Sequence, residues 1–292
     1  MRLLRGKTSL QLIYAWPQRF PNGAPLPLRL LLRAVVWADR WFFRFFPGRP
    51  PAELENILRG RKVCIAGPSK SIELLNRSAV ESYDVIVRLN NTWPVDSKRQ
   101  AHTGARCEIW YHVCNEVIHS EHIGQAEGFA DILHVRLMPH VNGQSLHWWW
   151  WKIWSGDTEV DPPGLPNQYS SISSACREHK VPQTDFHHGR TMRYLTRMGE
   201  KPPGVVNTGF FAICELLDCD LSELHVTGIT FNRENDYDGY PGPHGGLRQR
   251  EGDGTHHNAD NLFEIFCRLV QRDSRITMDD TLSRFVRQHE TS

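Results

Sequence analysis

From residue 60 onward, short apolar runs alternate with amphipathic stretches. VCIAG (63–67), DVIVRLN (84–90), CEIWYHV (107–113), ADILHVRLM (130–138) and ELHVTGITF (223–231) have the length and β-branched content of buried strands. SIELLNRSAV (71–80), GFFAICELLD (209–218) and NLFEIFCRLVQRD (261–273) carry apolar residues at helical spacing, the last reading as the closing helix. Apolar strands alternating with helices predict an α/β fold: a Rossmann-like, mostly parallel sheet flanked by helices. The middle, 139–200, is less regular. HWWWWKIW (147–154) is its oddest part, and its tryptophans suit a core, a sugar-stacking surface or a membrane interface equally well.

A different pattern precedes residue 50. In LPLRLLLRAVVWADRWFFRFF (26–46), Arg29, Arg33, Arg40 and Arg44 fall within roughly 60° of one another on a helix, and leucines, Trp41 and phenylalanines fill the other faces. This basic amphipathic helix suits the plane of an anionic membrane surface, and its uncharged stretches are far shorter than the ~20 residues a spanning helix needs. A helix docked on the main domain with solvated arginines is the plainer alternative. FPGRPPAE (46–53) then breaks the pattern. Residues 1–53 therefore read as a membrane-associating segment and linker, and 54–292 as a single domain.

Charge sharpens that division. Residues 1–50 hold nine Lys/Arg and one acid, Asp39, which leaves 25 basic and 32 acidic residues for the rest. A basic head on a mildly acidic body points to an anionic surface as partner for the head and argues against nucleic acid. Seven cysteines without a CxxC pair argue against a disulfide framework or a zinc site and for a reducing compartment. The expected location is cytoplasmic, peripheral on the inner face of the membrane.

Ligands of parallel sheets sit at the carboxyl ends of the strands, which directs attention to three stretches. The first is GPSKS after the first strand, with Asn90 ending the second. A dinucleotide fingerprint needs three glycines and a terminal acid, and a Walker loop needs GxxxxGK[ST]; neither is present. Ser69, Lys70 and Ser71, leading into a helix N-terminus, still offer N–H groups, hydroxyls and a dipole to an anion, and Asn90 can read a base or ribose edge without charge. The second is Asn207-Thr208-Gly209, which suits either an ordinary capped helix or a close ligand approach. The third, 242–264, holds His244, His257 and Glu264 on a glycine-rich loop near the expected cleft, and a histidine there suits a general base. Three D-x-D-like triplets, including Asp218 and Asp220, read as surface loops rather than a metal site.

In this order the stretches resemble the large, small and very small sialylmotifs of the sialyltransferases of glycosyltransferase family 29, as a distant, bacterial-type member. VCIAGPSKSIELLNRSAVESYDVIVRLNN is similar to the large motif, TGARCEIWYH to its continuation, NTGFFAICELLDCDLSELHVTGITF to the small motif, and HHNADNLFE to the very small one. The resemblance implies a GT-A-like variant fold and a CMP-sugar donor bound by Gly67, Ser69, Ser71, Asn90, Asn207, Thr208 and Gly209. It further implies His257 as catalytic base with Glu264 in the same motif, and Tyr240 or His244 donating to the phosphate. The chain departs from the family at Pro68, which stands for an asparagine, and in having six residues rather than four between His257 and Glu264.

The activity so implied is metal-independent, inverting transfer of a 2-keto acid sugar to a hydroxyl of a glycan or glycolipid acceptor, with no cofactor. A Kdo transferase using CMP-Kdo for surface polysaccharide or lipopolysaccharide is the near alternative. A catalytically inactive CMP-sugar-binding protein is the non-enzyme alternative. A nicotinamide oxidoreductase is disfavoured by the missing glycines and acid.

Overall fold

The computed structural model describes residues 50–114, 123–137, 169–185, 192–200, 206–234 and 259–291. The head (26–46), the tryptophan run, Tyr240, His244 and His257 lie outside the described residues.

Among the described residues, seven strands form one parallel sheet: β1 (Lys62–Ala66), β2 (Val85–Leu89), β3 (Ile109–His112), β4 (His134–Leu137), β5 (Gln183–Asp185), β6 (Glu223–Thr227) and β7 (Ile276–Met278). Their spatial order is β5-β4-β3-β2-β1-β6-β7. The chain starts near the centre, winds outward to β5, then returns to the other side of β1. This is a doubly wound α/β sheet, and its winding reverses between β1 and β6. Ala66 pairs with Thr227 across that boundary, so the loops leaving both strands emerge side by side.

Helices cover both faces: α1 (Ala52–Leu58), α2 (Arg77–Glu81), α3 (Ser97–Thr103), α4 (Tyr169–His179), α5 (Met192–Arg197), α6 (Thr208–Leu217), α7 (Ala259–Arg272) and α8 (Asp280–Glu290). Alternation along the strands sorts the core. Val63, Ile65, Val87, Ile109, Tyr111 and Val226 face the larger cluster with α1, α5, α6, α7 and α8. Trp110, Val135 and Leu137 face a second cluster with Ile172 and Cys176 of α4. Helix α6 is buried along its whole length, which explains why GFFAIC reads as almost purely apolar. All seven cysteines are buried and free. Among the described residues, no helix is long and apolar enough to cross a membrane.

The structure alters several expectations. The single helix expected over 71–80 is two short pieces, a 3-10 turn (Lys70–Leu74) and α2. Leu75 between them is extended, because the Asn76 side chain accepts the Ser78 N–H at 3.0 Å and starts a new helix there. The helix over 261–273 is not the last element; β7 and α8 follow it. Strands β5 and β7, three residues each, are too short to show a period. Asp218 is not on a surface loop. Its side chain is 5% exposed at the carboxyl end of α6, with Arg197 Nη1 at 2.9 Å, off the hydrogen-bonding axis, and Arg193 Nε at 3.5 Å.

The larger core also contains a charged group of contacts. Glu215 of α6 takes Arg136 Nε at 2.9 Å and Nη2 at 2.5 Å from β4, and the Tyr111 hydroxyl at 2.8 Å from β3. Arg136 Nη1 also donates to Thr184 Oγ1 on β5 at 2.6 Å. A buried guanidinium is tolerated because a bidentate carboxylate meets it. Burial is the largest single influence on Arg136 and lowers its pKa, but the Glu215 carboxylate and the Tyr111 hydroxyl together outweigh it, so the pKa is raised. These contacts tie α6 to three strands and fix where its amino end lies.

Candidate functional site

At the reversal point the β1 and β6 loops are in backbone contact. Gly67 N–H donates to Thr227 O and Ser69 N–H to Gly228 O, both at 2.9 Å. A Cβ on Gly67 would collide with the Gly228 carbonyl oxygen, and Gly228 itself has φ +65°. Gly67 is thus required by loop-on-loop packing. The same ladder accounts for Pro68. Positions 67 and 69 donate toward β6, so the N–H of position 68 would point away from it, and a residue without one fits.

Ser69 is 2% exposed and fully committed. Its hydroxyl donates to Glu234 Oε2 at 3.2 Å and accepts the Ser71 N–H at 3.3 Å and the Ser71 O–H at 3.2 Å. Glu234 ends the described part of the β6 loop, and Arg284 Nη2 of α8 stands 3.7 Å from its other oxygen. Because the 3-10 turn and α2 are separate five-residue pieces, no long helix dipole backs this loop.

Asn90, at the end of β2, has φ 45°, the left-handed conformation that asparagine tolerates better than most residues. Its backbone oxygen accepts Trp110 Nε1–H at 2.9 Å, its Oδ1 accepts Val113 N–H at 3.1 Å, and its Nδ2 donates to Thr208 Oγ1 at 3.4 Å. One asparagine therefore joins the ends of β2 and β3 to the start of α6. Thr208 accepts from Asn90, and no described residue takes its hydroxyl proton. Asn207 caps α6 by accepting Phe210 N–H at 2.8 Å. A Cβ on Gly209 would meet Ile229 and Leu89 at 3.4–3.5 Å, ordinary contact, so the bare position faces protein rather than a ligand path.

Arg88, the last-but-one residue of β2, points to the sheet face opposite Val87 and Leu89. It donates to Thr103 Oγ1, Thr103 O, Gly104 O and Arg106 O at 2.8–3.1 Å. The TGAR turn thus holds β2 in place, and burial lowers the pKa of the guanidinium. Glu264 is exposed on α7, one turn before Arg268. Of the sequence-derived site residues, Gly67, Ser69, Ser71, Asn90, Asn207, Thr208 and Gly209 all lie at the carboxyl edges of β1 and β2 or at the amino end of α6. Glu234 was missed; the signal for it was an acid shortly after a core strand, on β6 rather than β2.

No protein-family model and no curated protein matches the chain. Among solved structures, the chain is similar to a mammalian sialyltransferase (TM-score 0.45) and to a mammalian sialyltransferase in complex with Gal-beta-1-3GalNAc-ortho-nitrophenol (TM-score 0.44). Both are 14% identical, over 83% of this chain and 84% of theirs. The functional reading therefore rests on the site itself.

Proposed function

We propose that this chain is a CMP-sugar-dependent glycosyltransferase whose donor nucleotide lies across the carboxyl edges of β1 and β2. What carries the reading is the meeting of Asn90 and Thr208, 118 residues apart, at that edge. In this pair the Asn90 amide holds Thr208 in place, and Thr208 offers its hydroxyl proton to a nucleotide. Neither the glycines nor the β2 acid of a dinucleotide site is present. Thr208, rather than the committed Ser69, is the hydroxyl suited to a phosphate oxygen.

In this reading His257 removes the proton of an acceptor hydroxyl as its oxygen attacks the anomeric carbon. The C–O bond to CMP breaks on the opposite face, and the product is inverted. Thr208, with Tyr240 or His244, stabilises the departing phosphate. A monophosphate leaves with less charge than a diphosphate, so no metal is required; loss of transfer on adding chelator would contradict this. Residues 26–46 hold the enzyme on an anionic membrane, the inner face in the cytoplasmic reading, near a glycan or glycolipid acceptor.

The test is to incubate the full chain with CMP-Neu5Ac and with CMP-Kdo and to follow CMP release. Release from one donor, lowered ~10²–10⁴-fold in His257→Ala with CMP binding kept, is the expected result. Release from neither donor would sink the enzyme reading.

A further inference from the structure

Resting on that nucleotide reading, we infer that Glu234 is a specificity-determining residue that accepts the hydroxyls of the ligand's ribose. A serine hydroxyl has one proton and two acceptor positions. At Ser69 the proton is given to Glu234, and Ser71 supplies donors to both acceptor positions. The β1 loop therefore presents a carboxylate at its rim instead of a free hydroxyl. A phosphate placed there would meet a like charge and find no proton on Ser69. A vicinal diol has the opposite properties: it brings two protons and no charge.

Glu234 is held for such a role. Arg284 flanks one oxygen and Ser69 the other. The preceding Arg233 is anchored over the Phe263 ring at 3.6 Å and to Asp260 Oδ1 at 3.2 Å, so the chain leading into Glu234 is fixed. The Glu234 side chain is 28% exposed, against 2% for Ser69, so the carboxylate is the member of the pair that a ligand can reach. Dinucleotide folds place an acid on the ribose from the end of the second strand. Here Asn90 occupies that position, and the acid comes from the loop after β6, across the reversal point. Thr208 then takes the phosphate and Glu234 the sugar, with each end of the nucleotide meeting the group of suitable charge.

The experiment is calorimetric titration of the full chain, Glu234→Ala and Glu234→Gln with CMP, 2′-deoxy-CMP, 3′-deoxy-CMP and cytidine. The unaltered chain should prefer CMP over at least one deoxy analogue by about tenfold or more, as sites built around a hydroxyl do. Both substitutions should shrink that preference severalfold. Glu234→Ala should also raise the CMP-to-cytidine affinity ratio, because it releases the Ser69 proton and removes a like charge; a purely structural role would not move that ratio upward. Equal affinity of the unaltered chain for CMP and both deoxy analogues, or a preference that survives both substitutions, would overturn the assignment of Glu234 alone. Absence of CMP binding to the unaltered chain would overturn the nucleotide reading and this assignment with it.

Discussion

Asn90 Nδ2 stands 3.4 Å from Thr208 Oγ1, while Asn90 Oδ1 accepts the Val113 N–H. The residue does two separable things: it adopts a left-handed backbone and it bridges three elements. Asn90→Gly keeps the first and loses the second, whereas Asn90→Ala loses both. Denaturant titration should find the alanine variant less stable than the glycine variant by about 1 kcal/mol. CMP affinity should fall roughly two- to tenfold in both, because Thr208 loses its guide. Equal stability of the two variants would show that the backbone conformation is not strained.

The glycines of the site should respond unequally. Gly67→Ala forces a Cβ into the Gly228 carbonyl and should cost about 1–3 kcal/mol, with weaker CMP binding as the loops separate. Gly209→Ala adds a methyl in ordinary contact with Ile229 and Leu89 and should change stability by less than ~1 kcal/mol. Similar costs at both positions would contradict the loop-on-loop packing.

Glu215 supports α6 from within the core. Glu215→Ala leaves the Arg136 guanidinium buried without its carboxylate and should destabilise the fold by about 3–5 kcal/mol. Much of that cost is the uncompensated charge, so Arg136→Met combined with Glu215→Ala should cost less than the sum of the two single changes. A double-mutant cycle with additive energies would show that the pair is not coupled.

His134 gives the fold a pH dependence. It is fully buried, with Nε2 2.7 Å from Thr184 Oγ1, and burial, then the Arg136 charge, push its pKa from 6.5 down to about 4. The unfolded chain binds this proton first, so the contribution to stability is complete above pH 6.5 and disappears as the pH falls toward 4. The difference corresponds to roughly 3 kcal/mol at neutral pH. His225, lowered mainly by burial, acts in the same direction. Thermal unfolding of His134→Gln should therefore show a shallower decline between pH 6.5 and 4 than the unaltered chain. Parallel curves would remove His134 from this role.

The strands that position the site were legible because burial on both faces makes them continuous apolar runs: VCIA and VIVRL could be little else. The amino end of α6 was legible from Asn207 followed by a long apolar helix. What escaped was set by contacts distant in sequence. The 71–80 stretch has a helical pattern, yet Asn76 restarts the helix locally. In sequence Pro68 is only a departure from the family pattern; that position 68 needs no N–H follows from the pairing of residues 67 and 69 with β6. Glu234 could not be placed beside Ser69 from sequence, because their proximity depends on β6 returning next to β1. Asp218 looked solvent-facing for the same reason: its arginine partners lie on α5, in a part of the chain with no clear period.

In the proposed function Thr208, guided by Asn90, holds the phosphate of a cytidine nucleotide. The direct measurement is calorimetric titration of CMP into the full chain and into Thr208→Val, with NAD as the control ligand. CMP should bind, NAD should not compete, and Thr208→Val should weaken CMP about tenfold while its unfolding midpoint stays close to that of the unaltered chain. CMP affinity unchanged by Thr208→Val, or NAD binding in place of CMP, would contradict the proposed function.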